Sequence, residues 1–302
     1  MACGSPSASG GCSSKAAFRK RRWRMAEATD PEFAGVVAKP LTAWEKLYGN
    51  AALRKAVVLA ALALAWEIGA RRIGNDLLFP TFSATVVAFW EGLKSGVLFQ
   101  RTGYSLRLLL EGYAVGLACA ALLTALATAT RIGTDLLETL TAMFNPLPSI
   151  ALLPLALLWF GLGQLSLIFV LVHAVLWSVA LNTHSGFRGV SETLRMVGRN
   201  YGLKGVRYVT QILVPAALPS ILTGLKIGWA FAWRTLIAAE LVFGVSTGSG
   251  GLGWYVFENK NQLETANVFA GLFTVILVGL LVENLVFRTI ERATLRRWGM
   301  EP

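Results

Sequence analysis

Charge is what this chain has least of. Only 15% of its 302 residues are Asp, Glu, Lys or Arg, against 55% hydrophobic, where a soluble domain carries about a quarter charged residues. That shortage, with a mean hydropathy of +0.56, excludes an ordinary water-soluble globule and places the chain in a bilayer. Histidine is scarcer still: His173 and His184 are the only two, too few for a His-based metal centre. The three cysteines, Cys3, Cys12 and Cys119, match neither a disulfide framework nor a metal spacing. Cys119, inside an apolar run, reads as a small packing residue. No metal and no cofactor are therefore expected. No Walker A pattern occurs, so ATP hydrolysis would have to lie on another chain. No cluster of acid, base and metal-binding residues suits a membrane-embedded enzyme, and no repeat of about 20–50 residues supports a solenoid or a duplicated transporter.

What the chain has in abundance is apolar sequence in membrane-length pieces. Six segments of about 20 residues each run near 51–70, 104–130, 137–160, 164–183, 219–244 and 266–288. The first is interrupted by Arg54 and Lys55 at its start and by Glu67 near its end. Between the first two, Phe82, Val86, Phe89, Leu93 and Val97 recur every three or four residues. That spacing predicts an amphipathic helix on the outer surface, with Glu91 and Lys94 off its apolar face. Residues 1–50 differ in kind, being rich in Ser, Gly and Ala with a cluster at Lys15, Arg19, Lys20, Arg21, Arg22 and Arg24. They read as a disordered basic cytoplasmic tail. No apolar h-region follows the cluster directly, so it does not read as a cleaved signal peptide, and Met25 is an alternative start.

The net charge of +11 does not point to nucleic acid, because much of the positive charge flanks apolar runs, where topology selection puts it. Ten Lys or Arg occur up to Lys55, the loop after the fourth span carries Arg188, Arg195, Arg199, Lys204 and Arg207, and the C-terminal tail carries Arg288, Arg292, Arg296 and Arg297. With six spans these three regions share one side, which the positive-inside rule makes cytoplasmic. The loop between spans five and six sets Glu258 and Glu264 against Lys260 alone; Arg71 and Arg72 count against the scheme. Both termini are expected inside.

Two stretches carry the functional reading. The loop after span four is long, basic and helix-forming. Ser191 suits an N-cap and Gly202 a positive-φ helix end. Leu194, Val197 and Tyr201 fall on one face of that helix, Arg195 and Arg199 on another. A second helix is expected from Leu203 to Leu213, broken by Pro215, with Pro219 in the first turn of the next span. The third span holds Asn145, Pro146, Pro148 and Pro154, and its three prolines remove three backbone donors. Irregular backbone at membrane depth is tolerated where it is packed in protein or lines a watery path. This span is read as pore-lining, with Asn145 and Ser149 as polar contacts; a packing kink is the alternative.

Ionisable residues inside spans are costly and default to function. Glu111, one turn from Arg107, suits a local ion pair. Arg234, in span five, suits an anion or pairs with Glu240 or Glu283. Glu240 itself suits either the translocation path or an internal pair, and His173 reads as a packing histidine. Small residues at Gly112, Gly116 and Ala120 and at Gly224, Gly228 and Ala232 let helices approach closely.

These residues carry a resemblance. Gly202, Ile212 and Pro215 stand at the spacing of the coupling-loop pattern of ABC importer permeases, which runs Glu-Ala-Ala, three residues, Gly, nine residues, Ile, one residue, Leu-Pro. Val214 replaces the Leu, and Met196, Val197 and Gly198 stand where Glu-Ala-Ala would. Asn145 to Leu155, Leu158 to Gly163, Leu213 to Ile221, Ala238-Ala239-Glu240 and Gly250 to Gly253 resemble the nitrate, sulfonate and taurine permeases, and the resemblance covers about residues 50 to 299. It implies an all-α membrane protein of about six spans with the type I importer permease fold, a permease domain over 51–302 and a coupling loop over 184–218. It further implies a multi-pass protein of the bacterial inner membrane that performs no chemistry itself and moves a small oxyanion inward. The implied partners are an ABC ATPase subunit, a periplasmic substrate-binding protein, a second copy of the permease and the lipid bilayer, with no nucleic acid. The coupling residues would be Arg195, Val197, Arg199, Tyr201, Gly202, Ile212 and Pro215, and the translocation path would hold Asn145, Pro146, Ser149, Arg234 and Glu240. A self-contained secondary transporter or channel is the rival reading.

Overall fold

The computed structural model describes residues 49–243 and 250–296; the expected tail, save its last two residues, lies outside them. The chain divides into two units, 1–56 and 57–302. Of the first, the described residues open a helix at which the Asn50 side chain accepts the Ala52 amide at 3.0 Å. That helix, α1 (Ala51–Ile73), shows Val57, Val58, Leu59, Leu62 and Leu64 at 57–67% exposure. Each of its 18-residue windows carries three or more charges, which sets it apart from the spans below.

Every other described element is also helical. α2 (Phe82–Lys94) is capped by the Thr81 hydroxyl, which accepts the Ala84 amide at 3.2 Å. Its inward face differs in part from expectation. Phe89 and Leu93 pack on the core as the spacing suggests, and Thr85 and Ala88 are buried, while Val86 stays exposed and Val97 falls in the next helix, also exposed. The Leu98 side chain presses on Gly92, where a Cβ would stand 2.8 Å from it. α3 (Val97–Ala129) follows. At 33 residues it is about 50 Å long, more than the roughly 30 Å of hydrocarbon, so one end must stand clear of it.

The third span is two helices, α4 (Arg131–Phe144) and α5 (Leu153–Phe160), the latter preceded by a 3₁₀ turn at Ser149–Leu152. They meet at 89° across Asn145-Pro146-Leu147-Pro148, the irregular backbone that Pro146 and Pro148 demand, while Pro154 sits in the first turn of α5. α6 (Gln164–Arg188) is the central helix. The small-residue stripe of α3 lies on it at Leu171 and Val175, and the stripe of α9 (Leu218–Phe243) lies on it at Ser178, Val179 and Asn182. A Cβ on Gly112 would stand 2.7 Å from Leu171. α10 (Leu252–Asn261) and the long last helix α11 (Thr265–Leu295, with a π turn at Val282–Phe287) complete the set.

By length and composition α3, α6 and α11 can cross a membrane, and the two bent pairs raise the number to five. These match five of the six segments; the 51–70 segment is a helix but carries too much charge to join them.

Candidate translocation cavity and coupling loop

The elbow of the third span opens onto a cavity of about 320 Å³ between α6 and α9. Asn145, Pro146 and Ser149 line it from the elbow, His173 and Trp177 from α6, and Arg234 and Thr235 from α9. Four of the five residues singled out for the path therefore share one space. His173 Nδ1 is 3.1 Å from the Ser149 hydroxyl, and its ring stands edge-on to Phe144, which stacks on Trp177. Its Nε2 and the indole nitrogen of Trp177 are buried with no hydrogen-bond partner among the described residues. His173, read from sequence as a packing residue, is thus a wall of the cavity; that it meets Ser149 follows from the bend, which spacing cannot locate.

Arg234 is exposed within this chain, with its guanidinium 5.2 Å above the Phe231 ring and its Nε donating to the Ala230 carbonyl at 3.0 Å. Among the described residues no carboxylate lies within ion-pair distance of it. Glu283, one candidate partner, sits with Lys226 instead at 3.7 Å, and Glu291 also pairs with Lys226.

Glu240 lies outside the cavity lining. It is 4% exposed and accepts the Ser105 hydroxyl at 2.9 Å and the Gly253 amide at 2.8 Å. Ser105 in turn accepts the Leu252 amide at 2.8 Å. A buried carboxyl and a buried hydroxyl thus satisfy the first free amides of α10, which otherwise would have no partner. Gly251 touches both groups so closely that any Cβ would collide with them. One turn before Ser105, Arg101 donates to the Gly250 carbonyl at 2.9 Å and pairs with Glu258 at 3.2 Å. Sequence singled out Glu240 and the Gly250 to Gly253 run separately. Arg101 and Ser105, four residues apart on α3, gave no local signal of the grip they make.

The coupling loop is a helix pair. α7 (Glu192–Asn200) starts at Ser191, whose hydroxyl accepts the Leu194 amide, and ends with Gly202 at φ +70°. α8 (Gly205–Ala216) carries a π turn at Val209–Leu213 and meets α9 at 77°. It runs one residue past Pro215 where a break was expected. In the π turn the Val214 amide reaches back to the Val209 carbonyl, and the chain turns at Ala217 instead. Gly198 lies against Ile212 and Tyr208, a Cβ there standing 3.0 Å from each. This explains why a small residue stands at that point of the pattern although its acidic start is missing. Phe187, Val190, Leu213 and Ala217 form a small core of their own that fastens the pair to α6 and α9. Arg195 turns inward, donating to the carbonyls of Phe187 at 2.6 Å and Val190 at 3.1 Å. Arg199 stays exposed with Glu192 at 3.9 Å. Met196, Val197, Tyr201 and Val206 stand 40–81% exposed.

Residues 112–298, from the middle of α3 to the chain's end region, match the family model of the binding-protein-dependent transport system inner membrane component. The chain belongs to this family. An ABC transporter permease of Methanocaldococcus jannaschii, so named provisionally, is 32% identical over 76% of this chain and 86% of its own length. A Bacillus subtilis permease provisionally named for aliphatic sulfonates transport is 30% identical over 80% and 87%. The nitrate import permease of Synechocystis is 29% identical over 80% and 88%. The chain is thus a multi-pass membrane permease subunit of an ABC importer, in a family whose systems include an ATPase and a substrate-binding protein. That membership sets aside the self-contained carrier or channel.

Proposed function

We propose that this permease moves a small oxyanion of the sulfonate, nitrate or taurine kind inward through the space bounded by Asn145, Pro146, Ser149 and Arg234. Arg234 carries the reading. It lies sixteen residues into α9, roughly 24 Å along the helix, exposed and, among the described residues, without a carboxylate. A lone guanidinium at that depth cannot face hydrocarbon without large cost. It belongs on a watery path enclosed by a second copy of the chain, where its planar fork suits the oxygens of an oxyanion. Sulfonates and nitrate in the names of two relatives point the same way, as does the taurine permease of Escherichia coli, 32% identical over 52% of this chain. Asn145 and Ser149 would add hydrogen bonds, and Pro146 would hold the elbow open. Glu240 would act by position, anchoring α10 over the outer end of the path.

The coupling loop, 184–218, is read as the lever. An ATPase subunit would grip the exposed Val197 and Tyr201 with Arg199. Gly202, Ile212 and Pro215 would shape the helix pair, and Arg195 would fasten it to α6. Closure of the ATPase dimer then drives rigid-body motion of α9. A periplasmic binding protein delivers the substrate, and both termini lie in the cytoplasm. The test is uptake of labelled sulfonate, nitrate and taurine into proteoliposomes holding the permease with its ATPase and binding protein. Arg234→Gln should cut uptake about tenfold to a hundredfold, the worth of a hydrogen bond to a charged group, with Arg234→Lys falling between. Full uptake by Arg234→Gln would overturn the assignment.

A further inference from the structure

Ser149 is the first residue of the 3₁₀ turn after Pro148 and lines the elbow cavity. A hydroxyl can show a ligand either its proton or its lone pairs. Which of the two Ser149 shows depends on His173, its hydrogen-bond partner at 3.1 Å among the described residues. We propose that His173 is a positioning residue of the translocation path: its Nδ1–H donates to the Ser149 oxygen, which leaves the Ser149 proton for an oxyanion. The proposal rests on the oxyanion reading above and assigns one donor within that site.

Three observations carry it. The first is what the hydroxyl does not do. Thr128, Thr223 and Thr274 each donate to the carbonyl four residues back, as hydroxyls on helices do. The break at Pro146 and Pro148 removes that preceding turn for Ser149, which bonds instead across 24 residues to α6. The second is that the imidazole is held. It stands at 83° to Phe144 and at 72° to Trp177, and those two rings stack on each other. The third is the count of protons. A neutral imidazole has one N–H. Were it on Nε2, Nδ1 would consume the Ser149 proton, and Nε2–H would be a buried donor with no partner among the described residues. One turn on, the Trp177 indole N–H is already such a donor, with the two ring centroids 6.0 Å apart. An unpaired buried donor is costly, and two side by side also repel. With the proton on Nδ1, the Nε2 lone pair faces that neighbourhood with the opposite partial charge. The cavity agrees with this arrangement. No carboxylate is among the residues that line it, and Asn145 and Arg234 add donors, so serine lone pairs aimed into it would oppose the anion that its other groups attract.

The experiment uses the full-length permease with nitrogen-15-labelled histidine, bound to its ATPase in lipid vesicles at mildly alkaline pH. The chain has two histidines, so the wild-type spectrum less that of His173→Asn isolates the His173 ring. Nδ1 should carry the proton and Nε2 should be bare. Uptake of labelled nitrate, sulfonate and taurine is then measured in proteoliposomes that also hold the binding protein. His173→Phe keeps a ring between Phe144 and Trp177 but drops the bond, and should cut uptake about threefold to tenfold, the worth of one hydrogen bond. His173→Asn, whose amide N–H stands near the place of Nδ1–H, should recover most of that loss. Ser149→Ala should cut uptake as much as His173→Phe, and the double variant no further, because both remove one contact. A bare Nδ1 in the wild type, full uptake by His173→Phe, no recovery by His173→Asn, or losses that multiply in the double variant would each overturn the proposal. No uptake of any of the three substrates by the wild type would overturn the oxyanion reading instead, and the spectrum, which needs no substrate, would still decide where the proton lies.

Discussion

At the scale of single residues, the contacts that matter most join positions far apart in the chain. Glu240 accepts Ser105 across 135 residues and Gly253 across 13. Because the Ser105 hydroxyl both donates to Glu240 and accepts the Leu252 amide, Ser105→Ala leaves two buried groups short of a partner. It should cost about 1–3 kcal/mol and lower the thermal unfolding midpoint in detergent; an unchanged midpoint would count against the network. Gly251→Ala should be worse. Its φ of −85° suits any residue, so the demand for glycine is one of space, since a Cβ would strike Ser105 and Glu240. Local sequence made Glu240 conspicuous by its charge in an apolar run. The partner serine looks like any small helix residue and could not be found the same way.

At the scale of elements, the helix pair of the coupling loop joins a hinge to a close contact. Gly202 has φ +70° with open space around it. Gly202→Ala should therefore cost only about 1 kcal/mol and keep coupling. Proline, locked near φ −65°, cannot adopt that turn, so Gly202→Pro should lower substrate moved per ATP hydrolysed in proteoliposomes. A normal ratio in Gly202→Pro would sink the lever reading. Gly198→Leu should lower the same ratio by driving Ile212 and Tyr208 away from α7. The cap at Ser191 and the turn at Gly202 were legible because they depend on local backbone chemistry. The π turn and the bend at Ala217 were not, because the packing of Leu213 and Ala217 on Phe187 and Val190 selects them.

At the scale of the whole molecule, orientation is the claim most open to a direct check. With Cys3, Cys12 and Cys119 all replaced by Ala as background, a cysteine at Thr294 should react with an impermeant maleimide only after the membrane is permeabilised. Labelling in intact cells would put the C-terminal end outside and overturn the topology. Hydropathy alone marked five of the six expected spans, because transfer into hydrocarbon is decided residue by residue, and the prolines marked the break in the third. The Gly and Pro punctuation marked the coupling loop, because helix ends are set by φ and missing donors. Which charged residues meet water, which lie buried against one another and which walls enclose a cavity were decided only by the tertiary structure. Sequence left Arg234 and Glu240 as equal candidates in one helix, six residues apart. Folding turned Arg234 to the cavity and Glu240 to Ser105 and Gly253, since facing direction depends on which neighbours pack against each side of the helix.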